Sequence, residues 1–231
     1  MLDFHQFEFL TFDCYGTLIH WEEGILRCLH LILAAHGKET DDATILQLYG
    51  EFEAEAEQGE YLPYREVLQR VVGGFGKRLG FSPTEKEARS LAESLQTWQP
   101  WPDTPAALQR LKSRYRLAVI SNVDDDLFAA TQPQLGIEFD HVITAQQAKA
   151  YKPSLQIFEL AFRTLGVPAS KILHVGQSIY HDVVPARALG LASVWVNRPS
   201  VREGVGAVKT AEAHPDLEVA SLAELAALAV N

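Results

Sequence analysis

Five short runs rich in β-branched and aromatic residues constrain this chain more than any other feature: Phe7 to Phe12, Leu117 to Ser121, His141 to Thr144, Ile172 to Val175 and Ser193 to Asn197. Their apolar residues follow one another closely, the pattern of strands buried on both faces. From Leu117 onward helix-like segments separate them: Asp125 to Gln134, Leu155 to Leu165, and Asp182 to Leu189 before Gly190. Parallel neighbours need crossover connections, so this alternation predicts a parallel sheet wound by helices. In such sheets ligands bind at the carboxyl ends of the strands.

The interval from Ile19 to Trp98 is too long for a connection and too charged for a core. It reads as a helical cap inserted after the first strand, with Leu46 to Gln58 acidic on its exposed positions and Gly73-Gly74-Phe75-Gly76 marking a break between helices. The Pro-rich stretch Gln99 to Pro105 returns the chain to the core, with Asp103 or Thr104 capping the next helix, and Ala220 to Val230 reads as a terminal helix. The expected fold class is therefore α/β, a Rossmann-like parallel sheet core with an inserted helical cap. Residues 1–18 and 99–231 would form the core and residues 19–98 the cap.

A chain of 231 residues can bury one full core with room for such an insert, and its formal net charge of -10 argues against nucleic acid or an anionic membrane as partner. Cys14 and Cys28 are too few for a disulfide framework and match no metal-ligand spacing, which suits a reducing cytoplasm. The amino terminus runs into an apolar strand without a signal-like segment, and no apolar run reaches membrane-spanning length. The expected partner is a small molecule; monomer and homodimer both remain open.

Chemistry concentrates at the strand ends. The segment Phe9-Leu10-Thr11-Phe12-Asp13-Cys14-Tyr15-Gly16-Thr17-Leu18 ends an apolar strand in an acid followed by a tight turn, where backbone amides can face the carboxylate. Taken alone, an acid there is as readily a turn residue, Ser121 and Asn122 a strand-to-turn junction, Lys152 a solvated lysine and Asp182 a helix cap. Four such segments in order, each at a predicted strand end, resemble the motifs of the haloacid dehalogenase-like superfamily across nearly the whole chain. The first segment resembles motif one, with Asp13 as the covalent nucleophile. Ile120-Ser121-Asn122 resembles motif two, whose hydroxyl donates to the substrate. Tyr151-Lys152-Pro153 resembles motif three, whose lysine keeps the nucleophile ionised, and His174 to Asp182 resembles motif four, where an acid closes the site.

The resemblance implies Asp13, Lys152 and Asp182 as catalytic residues, with Asp182 orienting or activating water. It implies substrate-binding positions at Cys14, Tyr15, Thr17, Ser121, Asn122, Gln177 and Ser178. The side chain of Cys14 should turn away from Asp13 by strand alternation, and it receives no catalytic role. His20 and His181 read as structural supports.

Two departures from the phosphatase members set the branch. Where those carry a second acid two residues after the nucleophile, this chain has Tyr15, and where their motif four begins Gly-Asp it has Gly176-Gln177. A general acid supplies about a hundred- to ten-thousand-fold in rate, and a phenol is a poor substitute at neutral pH. Magnesium also favours anionic oxygen ligands, so no cofactor is expected, magnesium entering only under the phosphatase alternative. The Asp-x-Tyr-Gly-Thr form resembles the 2-haloacid dehalogenases, which act on small carboxylate-bearing substrates with a leaving group that needs no proton.

Against that branch, Leu48 to Glu53 lacks the cap arginine those enzymes carry, with Arg65 as a conceivable substitute, and Phe158 replaces their tyrosine. The mixture also resembles a side branch with a hydrolase opening azetidine-2-carboxylate. A degraded phosphatase and a non-catalytic binding protein complete the alternatives.

Overall fold

The computed structural model describes residues 2–198, 207 and 211–230. Among the described residues six strands form one parallel sheet in the order β3-β2-β1-β4-β5-β6. They are β1 (Phe9–Phe12), β2 (Arg116–Ser121), β3 (His141–Thr144), β4 (Ile172–Gly176), β5 (Ala192–Val196) and β6 (Leu217–Val219). The five apolar runs therefore become the first five strands, and the three-residue β6 is an edge too short to stand out by composition. The order reverses at β1, which pairs with β2 on one side and β4 on the other. Such a reversal opens a crevice at the carboxyl edge of the sheet.

All four residues of β1 are buried, as its covered faces require. In register Phe12 lies beside Val119 and Val175, so the next residues outward are Asp13, Ile120 and Gly176. The carboxylate thus leaves the sheet where three strand ends meet.

Four helices, α1 (Trp21–Ala35), α2 (Asp42–Ala56), α3 (Tyr64–Leu79) and α4 (Glu85–Ser94), follow β1 before the chain returns to β2. α3 runs unbroken through Gly73, Gly74 and Gly76, contrary to the expected break. Close packing accounts for two of these glycines. A Cβ at Gly74 would lie 2.7 Å from the Phe52 ring of α2, and one at Gly76 would lie 2.7 Å from the Phe81 carbonyl. Glycine costs a helix about 1 kcal/mol, and here the close contacts offset it.

The remaining helices are α5 (Thr104–Lys112), α6 (Asp125–Thr131), α7 (Ala145–Ala148), α8 (Leu155–Leu165), α9 (Val184–Ala188) and α10 (Leu222–Ala229). α8 shows how sequence sets an element. Ser154 caps its first turn by accepting from the Gln156 amide, Ile157, Phe158, Ala161 and Leu165 give it a buried stripe, and Gly166 at φ 67° ends it. The segment expected as one helix from Asp182 to Leu189 is instead a π turn, Ile179–Val183, running into the short α9. Asp103 occupies the cap position of α5 without a side-chain capping bond; it pairs with Arg198 at 2.7 Å instead.

Asp124, just beyond β2 and 2% exposed, joins the α1–α4 layer to the strand ends. Its Oδ1 accepts from the Tyr64 amide at 2.8 Å and its Oδ2 from the Arg65 amide at 3.0 Å, both in the first turn of α3. A carboxylate at a helix N-terminus satisfies otherwise unpaired amides and complements the helix dipole. Tyr151 adds a second tie by donating to the Leu62 carbonyl at 2.6 Å.

Candidate active site

Lys152 is the hub of the crevice. It is 1% exposed, and its ammonium donates to Asp13 Oδ1 at 2.8 Å, Asp182 Oδ1 at 2.7 Å and the Ile120 carbonyl at 3.0 Å. Three N–H groups meet three acceptors, so one buried cation braces the ends of β1 and β2 and the π turn after β4. The peptide on either side of Lys152 is also fixed. Its amide donates to Asn122 Oδ1 at 2.7 Å, and Asn122 Nδ2 donates to its carbonyl at 3.2 Å. Asn122 therefore borders the cavity with its amide already engaged in holding Lys152.

The other oxygen of Asp13 accepts from Thr17 Oγ1 at 2.6 Å, and that hydroxyl in turn accepts from the Gln177 amide at 2.9 Å. Asp182 receives His174 Nε2 at 3.2 Å and the Ser178 amide at 3.2 Å. With Nε2 donating, His174 Nδ1 is left to accept from Thr11, 2.9 Å away. Phe158 meets the His174 ring edge-on at 5.1 Å, so the residue standing where dehalogenases have tyrosine packs this imidazole. Ser178 caps the π turn by accepting from the His181 amide at 3.0 Å.

Electrostatics divide the two acids. Burial pushes the Asp13 carboxyl up, with Lys152 and Thr17 pulling it back. Asp182 suffers the same burial, but Lys152 and His174 hold it well below the usual carboxylate range. Burial would lower the Lys152 ammonium, yet the two carboxylates more than reverse that and keep it protonated. Asp13 is thus a desolvated carboxylate beside a fixed cation, suited to attack on an electrophile. Burial pushes the Tyr15 phenol well above its ordinary value, and its hydroxyl lies 2.8 Å from Thr131 Oγ1. A phenol in that state is a poor proton donor to a leaving group.

Asp13, Lys152 and Asp182 border one narrow cavity of about 40 Å³, with Tyr15, Ser121, Asn122, Gln177 and Ser178. Thr17 acts from behind Asp13. Cys14 supplies no side chain: it is fully buried in the core, which corrects its placement among the substrate contacts as far as the thiol is concerned. Arg65 does not border the cavity; it pairs with Asp126 at the surface and approaches Asp124 at 4.0 Å. Two residues that sequence reasoning took as solvated, Glu53 and Glu57, do border it. Glu53 lies one turn from Tyr49 on the buried face of α2, which was the available signal.

The Ser121 hydroxyl is buried and no described protein group bonds it. A structural serine would normally be satisfied, so an unpaired one facing a cavity marks a ligand contact. Ser121→Ala should leave stability unchanged or slightly higher, while raising KM about tenfold, a loss of one hydrogen bond's magnitude. Thermal denaturation with initial-rate kinetics measures both, and a destabilised variant with unaltered KM would make Ser121 structural.

Among the described residues no group of three or more His, Cys, Asp or Glu could hold a metal ion. The two acids nearest one another are already bridged by an ammonium, and Tyr15 and Gln177 occupy the positions where magnesium-dependent relatives carry carboxylates.

A parallel sheet thus presents a buried, lysine-paired carboxylate at its switch point. A family model described as haloacid dehalogenase-like hydrolase matches residues 8–190, and the chain belongs to that family. Among curated relatives, an (S)-2-haloacid dehalogenase of Pseudomonas putida is 28% identical, covering 89% of this chain and 92% of its own length. A haloacetate dehalogenase of Moraxella sp. (strain B) is also 28% identical, over 84% of this chain and 87% of its own. The L-2-haloacid dehalogenase of Xanthobacter autotrophicus, solved with chloropropionic acid covalently bound, superimposes with a TM-score of 0.79 at 22% identity, covering 96% of this chain and 98% of that one.

Proposed function

We propose that this chain is a hydrolase of the 2-haloacid dehalogenase type, acting at carbon through an ester on Asp13. The observation that carries the reading is the pairing of Asp13 with a fully buried, protonated Lys152 while Tyr15, where a phosphatase has its second acid, is turned to Thr131. Asp13 attacks the halogen-bearing carbon, the carbon–halogen bond breaks, and halide leaves with its electron pair, needing no proton. Water then attacks the carboxyl carbon of the ester, helped by Asp182, and releases the hydroxy acid with Asp13 regenerated. Ser121 and the backbone around it supply donors for a small carboxylate-bearing substrate. The relatives' activities support this reading.

In this reading residues 19–98 serve as the cap over the strand ends, no metal takes part, and the two thiols suit a cytoplasmic setting. Halide released from 2-chloropropionate at undiminished rate in excess chelator is the expected result. Phosphate released from phosphomonoesters only with magnesium would replace this reading with the phosphatase one.

A further inference from the structure

The chain has four tryptophans, and among the described residues three of them spend their ring N–H on a partner. Trp98 donates to Ser94 Oγ at 3.0 Å, Trp101 to the Gly16 carbonyl at 3.0 Å and Trp195 to the Gln177 carbonyl at 2.8 Å. Trp21 is only 8% exposed, yet no described residue accepts from its Nε1. An indole N–H at that depth ordinarily finds an acceptor.

Trp21 opens α1, and its side chain borders the cavity of Asp13. The ring stands edge-on to Tyr49 with centroids 5.7 Å apart, which fixes its orientation. Its N–H edge faces Gly16: a Cβ there would lie 3.1 Å from Trp21 Nε1 and 3.0 Å from Gln177 Oε1, and the φ of +98° favours glycine in any case. Gly16 thus keeps open a space between the indole and the neutral Gln177 amide, beside the loop of the nucleophile. The bonds from Trp101 and Trp195 hold the peptides on both sides of that space.

The cavity is therefore bordered by two unused donors, the Ser121 hydroxyl at the end of β2 and the Trp21 N–H in the helical layer. The reaction read from Asp13 involves two anionic groups, the carboxylate the substrate brings and the halide it loses. Displacement at carbon runs in line, so the halogen departs on the side away from Asp13, from the strand ends toward the helices. Of the permanent donors those helices bring to the cavity, the Tyr64 hydroxyl is spent on Glu53 at 2.6 Å and the Trp21 indole is not. The N–H edge is also the positive edge of the ring. Burial pushes the neighbouring Glu53 and Glu57 carboxyls up, which lessens the negative charge that a departing anion would meet.

We propose that the Trp21 indole N–H donates to the departing halide, which makes Trp21 a catalytic residue of the carbon–halogen step. The proposal rests on the Asp13 reading and adds to it a contact on the leaving group. Asp13 forms the carbon–oxygen bond, the carbon–halogen bond breaks, and the halide takes the electron pair as it receives the N–H. The indole, a donor only, keeps its proton throughout.

Two measurements on the intact protein keep this proposal apart from the reading beneath it. The first is the single-turnover rate of halide release from 2-fluoro-, 2-chloro- and 2-bromopropionate. Trp21→Phe keeps a ring against Tyr49 and loses the N–H. It should slow chloride release about tenfold, fluoride release more and bromide release less, because the poorer leaving group depends more on a donor. Benzothienylalanine at position 21, with sulfur in place of the N–H and the same ring outline, should show the same ordering and serves if the phenylalanine variant does not fold. A loss equal for the three leaving groups, or no loss, overturns the halide contact and leaves the dehalogenase reading intact.

The second is chloride binding without turnover, followed by NMR line broadening of sodium chloride. Wild type should broaden the line and both variants should lose most of the excess. If wild type releases no halide from any of the three compounds but shows this difference, the carbon-attack reading falls and the anion contact stands. Broadening that is absent in wild type, or undiminished in the variants, overturns the proposal.

Discussion

Asp13→Asn should abolish turnover, with a loss of about four orders of magnitude or more, because an amide cannot form the ester and nothing nearby replaces it. The thiol of Cys14, beside it in sequence, is buried in the core, and burial raises its pKa well above the ordinary value. A single turnover in heavy-oxygen water gives the mechanistic counterpart. The product's new oxygen comes from Asp13 and the water's oxygen stays on the enzyme, so peptide mass analysis should find the label on Asp13 and none in the first product. Label in the first product would mean that water attacks the substrate directly with Asp13 as a base.

The second large effect concerns Lys152. Replacing it by Met removes the cation between two buried carboxylates, and breaking a buried pair from one side costs about 3–5 kcal/mol. The sign with pH follows from the shifts. The raised Lys152 pKa contributes stability that is complete below its unfolded value and lost only as pH rises through the folded one. The depressed Asp182 pKa contributes stability present above its unfolded value of 3.8 and lost as pH falls through the folded one. In Lys152→Met both acids stay buried without the ammonium that offset their charge, so protonating them relieves the variant. Its deficit relative to wild type should be largest at neutral pH and shrink through the carboxylate range, as denaturant titrations at several pH values would register.

Turnover should fall by about a thousandfold at neutral pH, since an unpaired Asp13 takes up a proton. The acid limb of kcat/KM, already above the ordinary aspartate value because burial raises Asp13, should move further up. A deficit independent of pH would detach Lys152 from the charge of these acids.

The residues read from sequence are those whose role depends on strand ends. Asp13, Ser121 and Lys152 each lie at or beyond a parallel strand or its crossover, and register alone brings such positions to one edge. Glu53 and Glu57 escaped because their neighbours Glu51 and Glu55 are exposed, and four acids at alternate positions look like one solvated run. Only the orientation of α2 over the strand ends separates the inward pair. The glycines of α3 misled for a related reason: the same residue serves a break or a close helix contact, and the choice lies in Phe52 and Phe81, remote in sequence or beyond the helix end. Asp182 was expected in a regular helix and lies in a π turn instead, an element with no compositional mark.

That turn makes segment length a specification in its own right. Between Ser178 and Val184 the chain closes i to i+5, the Val184 amide reaching the Ile179 carbonyl, and it carries one residue more than an α-turn would. Deleting any one of them would let an ordinary helix form, yet would rotate what precedes it by about 100° relative to α9. Asp182 sits so close to the sheet that a Cβ on Gly176 would come within 2.4 Å of its carboxyl carbon, leaving no slack to absorb such a rotation. Homologous chains that share this brace should therefore vary freely in the identity of Ile179, Tyr180 and His181 before they vary in the number of residues between Gly176 and Asp182.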